Sequence, residues 1–341
     1  MPRMYCCHNC FGDVGLRKEI IPLRSDKRGI CDYCESIDVD LIGSNFLAEY
    51  FELLISIYEV SDKGESLVSL LKKDWQLFDH PKMDDAHAKE LLADILDDGE
   101  IVRKMFLPSH IEQEDNINVW EEFKLELMHQ NRFFPKTPLD KLRLEELLSR
   151  LIADADDLPK TWFRARLHQG DANFKLEDMG APPKRKASHG RANPSGIPYL
   201  YLGSTHKTAI SEVRPHPGES ATVAEFMISN SLKLVDLRNP RKLVSPFLLE
   251  DETEVALLRQ DVGFLERLGK ELTTPVLPTS AAIDYIPSQY LCEFIKKCGY
   301  HGVIYGSSVG EGINLALFQP KNATANNIKN FVVSNVSVEF Q

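Results

Sequence analysis

The chain has 341 residues, 43% hydrophobic and 27% charged, with 19 glycines and 19 prolines, which is ordinary composition for folded soluble domains and excludes collagen-like, low-complexity and small disulfide-stapled classes. Its formal net charge of −11, from 51 acidic and 40 basic side chains, argues against a protein whose main partner is nucleic acid. The charge is uneven: six basic and four acidic residues in 1–34, 13 and 29 in 35–157, and 21 and 18 in 158–341 give +2, −16 and +3, so the third segment can receive an anionic ligand without a repelling field.

Five of the seven cysteines crowd into the first 34 residues, without the long apolar run of a secretion signal before them, and this suggests metal before disulfides. Cys7-x2-Cys10, twenty residues, then Cys31-x2-Cys34 brings two thiolate pairs to two tight turns, the demand of a tetrahedral structural zinc ion. Arg17, Lys18, Arg24, Lys27 and Arg28 lie between the pairs and would help keep the thiolates ionised. Cys6 and His8 are read as bystanders, and Cys292 and Cys298 as buried free thiols. Residues 1–40 are therefore expected to be a four-cysteine zinc knuckle, too small to fold alone.

Residues 41–157 are expected to be an acidic, all-α module of four to six helices. Phe46, Leu47, Tyr50, Phe51, Leu54, Ile57 and Tyr58 recur at helical spacing behind Ser44 as N-cap, and further helices are predicted at Ser66–Phe78, Asp84–Leu96, Val119–Met128 and Leu139–Ala155. Arg103 and His110 have the separation of a base and a phosphate-binding cation in helical ribonucleases; Pro108 between them and the surrounding negative charge favour a plain connecting loop.

Residues 158–341 read as an α+β domain. Strands are predicted at Thr161–Leu167, Pro198–Gly203, Ala221–Ile228, Leu232–Leu237, Gly302–Tyr305, Ile313–Phe318 and Phe331–Phe340, with helices at Lys207–Val213, Glu250–Leu268 and Ser288–Cys298. Strand alternation sends Trp162, Arg164 and Arg166 to one face and Phe163, Ala165 and Leu167 to the other. Glu212 lies on the short helix that follows a Gly- and Pro-bounded loop and strand. The segment Tyr305–Gly312 joins two apolar strands as a Gly-rich hairpin and lacks both the P-loop lysine and the dinucleotide glycine spacing.

In order, these residues resemble the RES domain, named for Arg, Glu and Ser, matched here by Arg164 in the F-R segment, Glu212 in TAISEV and Ser307 in YGSS. The resemblance extends to Gly190-Arg191-x-Asn193, to Gly196-x-Pro198-x-Leu200-Tyr201, to Tyr285-x-Pro287-x-Gln289, and to Gly302-x-x-Tyr305-x-Ser307 followed by Asn314 and Leu317-Phe318. Ala192 stands where the family commonly has tryptophan. It covers about half the chain; the front half is similar, more loosely, to the zinc-bearing helical extension of some longer RES proteins.

The resemblance implies an ADP-ribosyltransferase-like fold and a bacterial toxin or phage-defence effector that consumes NAD, breaking the nicotinamide–ribose bond with water or inorganic phosphate as acceptor. It implies Glu212 against the oxocarbenium-like ribose, Arg164 and Arg191 on the pyrophosphate, Ser307 and Asn314 on the nicotinamide side or ribose, and Tyr201 on ring or sugar. The alternatives are transfer of ADP-ribose to a macromolecule and a non-enzymatic module in which knuckle and acidic helices bind a partner. Toxic NAD consumption implies a restraint, either an antitoxin or a trigger sensed by the acidic front half. The chain is expected to be cytoplasmic and homo-oligomeric, with no membrane partner.

Overall fold

A computed structural model describes residues 4–109, 116–168, 170 and 173–337, and the chain divides into one unit of residues 1–115 with 240–264 and another of 116–239 with 265–341. The fold is α+β, as the sequence predicts.

In the first unit three short strands, β1 (Tyr5–Cys7), β2 (Lys27–Gly29) and β3 (Val39–Gly43), pair antiparallel in the order β1-β3-β2. Between β1 and β2 a one-turn helix α1 (Ile21–Arg24) continues a π-turn over Leu16–Ile20. Next come α2 (Ala48–Ile55), β4 (Tyr58–Ser66), α3 (Leu67–Trp75), α4 (Asp85–Leu96) and β5 (Met105–Pro108). Ser66 and Asp84 cap α3 and α4 with their side chains, accepting from Ser69 N and from Ala86 N and His87 N. The apolar faces close on Phe11, Phe51, Phe78 and Phe247, whose rings meet at 5.0 to 5.9 Å between centroids.

Two expectations are corrected here. The middle of the chain is not wholly helical, because β4 and β5 pair antiparallel. The pairing escapes a search for alternation because it is broken: Val60 and Glu65 both face Phe106, and the residues between them bulge out. Gly64 permits the return, since a Cβ there would stand 2.0 Å from Phe106 O. Ser44 is not an N-cap; it is buried in a 3-10 turn, Ser44–Leu47, with its hydroxyl 3.4 Å from Asp94 O.

The second unit begins with α5 (Asn116–His129) and α6 (Lys141–Ser149), the latter capped by Asp140. Its sheet comprises β6 (Trp162–Leu167), β7 (Leu200–Gly203), β8 (Ser220–Ile228), β9 (Leu234–Asp236), β10 (Gly302–Gly306), β11 (Ile313–Leu317) and β12 (Ala323–Val332). The strand order is β12-β8-β6-β7-β11-β10-β9, antiparallel throughout except for the β10/β9 pair. Helix α7 (His206–Glu212) follows β7; α8 (Glu252–Thr273), whose residues from Leu265 belong to this unit, precedes α9 (Ala281–Asp284) and α10 (Ile286–Lys297). Trp162, Leu200, Leu202, Phe226, Ile304 and Leu315 build the main core on one face of the sheet; Ala165, Ala209 and Val223 form a smaller cluster.

The final strand also differs from the expectation. It runs over Ala323–Val332 rather than Phe331–Phe340, because it is an edge strand that buries few side chains and carries the polar sequence TANNIKN. Residues 338–340 of the expected strand, and His110 of the Arg103/His110 pair, lie outside the described residues. Arg103 itself is exposed and pairs with Glu100 at 3.0 Å. No described helix is long and apolar enough to cross a membrane.

Candidate functional site

The site starts from a split in the sheet. Strand β6 pairs with β8 along its whole length but meets β7 at one position only, Phe163 opposite Gly203. Beyond that point the two strands part, and a cleft of about 470 Å³ opens between them.

Arg164 stands at the split. Its Nη1 donates to Tyr201 O at 3.2 Å, supplying a bond that the strand ladder does not make there. Its Nε is buried without a partner among the described residues. Burial, with Arg166 nearby, pushes the guanidinium pKa down to about 10, so it remains charged at neutral pH but poorly solvated. Such a group has capacity for an incoming anion.

Glu212 ends α7. Thr205 caps this helix by accepting from Thr208 N at 3.0 Å, and the helix lies so close to β7 that a Cβ on Gly203 would stand 2.8 Å from Ala209 N. The β10–β11 hairpin is stapled onto the same helix: Thr208 Oγ1 donates to Glu311 O at 3.0 Å, and Gly312, at φ +103°, leaves no room for a side chain beside Thr208. The staple brings Ser307 and Asn314 to Glu212. Ser307 Oγ donates to Glu212 Oε1 at 2.7 Å and Asn314 Nδ2 to the same oxygen at 2.6 Å. Glu212 Oε2 has no partner among the described residues. The carboxylate is thus oriented by one oxygen and available through the other.

Arg191 comes from the loop before β7. Its Nη1 donates to Thr274 O at 2.7 Å, its Nη2 lies 3.4 Å from Ser308 Oγ, and its guanidinium sits over the Tyr285 ring at 5.2 Å. The loop is tied by Asn193, buried, whose Nδ2 donates to the carbonyls of Ser188, Pro194 and Ile197. Tyr201 completes the tie: its hydroxyl donates to Asn193 Oδ1 at 2.7 Å and accepts from Ala192 N at 2.9 Å. Burial pushes its phenol well above the usual range. The small Ala192 is fully buried in this loop. A Cβ on Gly190 would stand 2.5 Å from Asn193 Oδ1 and 2.7 Å from Tyr201 OH. Gly190→Ala is therefore expected to destabilise the unit by about 1–3 kcal/mol, read as a lower thermal midpoint; an unchanged midpoint would show that the loop yields freely.

Of the residues singled out from the sequence, Arg164, Arg191, Tyr201, Glu212 and Asn314 line one cleft, and Ser307 joins them through Glu212. Tyr285, Tyr305 and Ser308 also line it. Tyr285 and Tyr305 stand in the matched pattern without a role attached to them, and Ser308 follows Ser307 directly; these are the signals that could have found them.

The first unit holds a second constellation. The Sγ atoms of Cys7, Cys10, Cys31 and Cys34 lie within 4.8 Å of one another, all four buried, with Cys7 to Cys34 at 3.5 Å and Cys10 to Cys31 at 3.4 Å. Tetrahedral Zn–S bonds of about 2.3 Å imply S···S separations of roughly 3.8 Å, so the set fits a zinc ion with small adjustment. Cys6 is outside the cluster, and burial pushes its thiol up.

The RES domain family model matches residues 161–334. Among solved structures, a chain in the crystal structure of the M. tuberculosis MbcT–MbcA toxin–antitoxin complex is similar, with 14% identity, 57% of this chain and 93% of that chain covered, and a TM-score of 0.34. A search of curated proteins finds no match.

Proposed function

This chain belongs to the RES family, whose domain fills about half of it, and on that premise we propose that it is an enzyme that consumes NAD by cleaving the bond between nicotinamide and ribose. The observation that carries the proposal is the Glu212 carboxylate, oriented through one oxygen by Ser307 and Asn314 in a cleft that also holds Arg164 and Arg191.

As the ribose C1′–N bond breaks, its electron pair passes to the nicotinamide ring, which leaves neutral and needs no proton. Positive charge develops on the ribose. Glu212 Oε2 is the group to face that charge, and its orientation before the reaction avoids reorganisation in the transition state. Arg164, whose Nε has no partner among the described residues, and Arg191 hold the pyrophosphate in charge-assisted hydrogen bonds. Water attacks C1′ and releases a proton to give ADP-ribose, or inorganic phosphate attacks to give the 1″-phosphate ester. Asn314 and Ser307 keep the carboxylate aligned, and Tyr201 acts through the Arg191 loop, its hydroxyl being engaged there.

The test is incubation of the full chain with NAD alone, following nicotinamide release by chromatography. NAD loss without a macromolecular target is expected. Acceleration by inorganic phosphate, with the phosphate ester as product, identifies phosphorolysis; an unaltered rate identifies hydrolysis. NAD that stays intact under both conditions would overturn the proposal, and ADP-ribose found on a protein or nucleic acid would replace it with transfer. The four-cysteine cluster is proposed to hold a structural zinc ion; with all four positions filled by thiolates it has no site for catalysis.

A further inference from the structure

The first turn of α10 reaches back to the loop that carries Arg191. Ser288, fully buried, donates its hydroxyl to Arg191 O at 2.6 Å. Gln289 Nε2 donates to Gly190 O at 2.8 Å, and the Tyr285 ring underlies the Arg191 guanidinium. Consecutive carbonyls of the Gly190–Arg191 dipeptide are thus held by consecutive side chains of one helix. On its other side the dipeptide is closed by Gly190 N donating to Asn193 O at 2.9 Å. A peptide fixed at three points sets the direction in which the Arg191 side chain leaves the backbone. A guanidinium already aimed loses less freedom when it binds a phosphate.

We propose that Gln289, together with Ser288, is a positioning residue for Arg191: it holds the Gly190–Arg191 peptide so that the guanidinium is preset for the pyrophosphate of the substrate. The inference rests on the reading of Arg191 as a pyrophosphate ligand. Neither residue touches the reacting atoms; both act through Arg191.

The test is a double-mutant cycle on the full chain, with ADP as probe because it carries a pyrophosphate and no nicotinamide. Gln289→Leu removes the donor at similar volume and is expected to weaken ADP binding about five- to tenfold, the effect of one lost hydrogen bond. The KM for NAD rises by a similar factor, kcat stays within twofold, and the thermal midpoint moves by no more than a few degrees. In an Arg191→Ala background the same substitution changes ADP binding by less than twofold, the non-additivity expected of residues that act as one. Ser288→Ala follows the same pattern. An equal loss in both backgrounds, a fall in kcat or thermal midpoint alongside KM, or no ADP binding by the parent would each overturn the proposal. If NAD is untouched by the parent while the ADP cycle is non-additive, the cleavage reading fails and the positioning role is supported.

Discussion

Glu212→Gln is expected to reduce NAD consumption at least about a hundredfold while leaving the fold intact. The reasoning is geometric. Glu212 Oε1 is the acceptor for both Ser307 and Asn314, and a glutamine carbonyl oxygen accepts the same two bonds, so the hairpin and α7 keep their relation. What disappears is the negative charge opposite the developing cation, and loss of one preorganised electrostatic group typically costs about 10²–10³ in rate. Glu212 is exposed, so its replacement by a neutral isostere leaves no buried group unpaired. Rates of NAD loss together with thermal unfolding check both halves of the expectation. A variant that consumes NAD at the parental rate would remove Glu212 from the mechanism; a variant that unfolds would show that its charge holds the hairpin.

Loss of the proposed zinc ion is expected to be the largest perturbation of stability. Cys7 ends β1, Cys10 lies in the turn after it, and Cys31 and Cys34 lie between β2 and β3, while Phe11, next to Cys10, packs against Phe51 and Phe78. Structural zinc in small domains contributes roughly 10–16 kcal/mol, comparable with or larger than the whole stability of a typical domain. The purified chain is expected to hold about one zinc ion, the number four ligands can satisfy. Cys10→Ser, or prolonged exposure to a strong chelator, should release it and leave residues 1–115 open to protease. Elemental analysis and limited proteolysis are the measurements. A chain that carries no metal, and whose Cys10→Ser variant resists protease like the parent, would reduce the cluster to four reduced thiols.

Where short-range chemistry decides local structure, the sequence was legible. The two Cys-x2-Cys pairs, the helical spans that begin near Ser66 and Asp84, and the opposite faces of Trp162 and Ala165 on β6 all follow from neighbouring residues, whereas Ser44, the one cap read from the sequence, is not a cap. The Arg, Glu and Ser of the family pattern are separated by up to 143 positions, and no periodicity joins them; resemblance brought them into one set, and the single β6/β7 pairing with the Thr208 staple is the physical means of their meeting. The β4–β5 pair was hidden because its bulge destroys alternation, and β12 because an edge strand can be polar on most of its length. Ser288 was equally hidden, and Gln289 stood in the Tyr285-x-Pro287-x-Gln289 match with no role attached to it. A buried serine and a glutamine on a helix look like packing until the carbonyls they hold, nearly a hundred residues upstream, are known.

The parting of β6 from β7 has a consequence for how this domain can change. Arg164 closes the gap in the ladder with one nitrogen while another has no partner among the described residues, so the same side chain both mends the sheet and keeps a poorly solvated cation in its wall. An apolar residue at 164 would relieve the poorly solvated charge but leave Tyr201 O unanswered and the cleft without its anchor. Lysine concentrates its donors on one nitrogen and lacks the planar fork that sends one nitrogen to the carbonyl and keeps another for an anion. A tighter sheet and an anion-receiving cleft therefore make opposite demands at one position, and a planar guanidinium meets both with separate nitrogens.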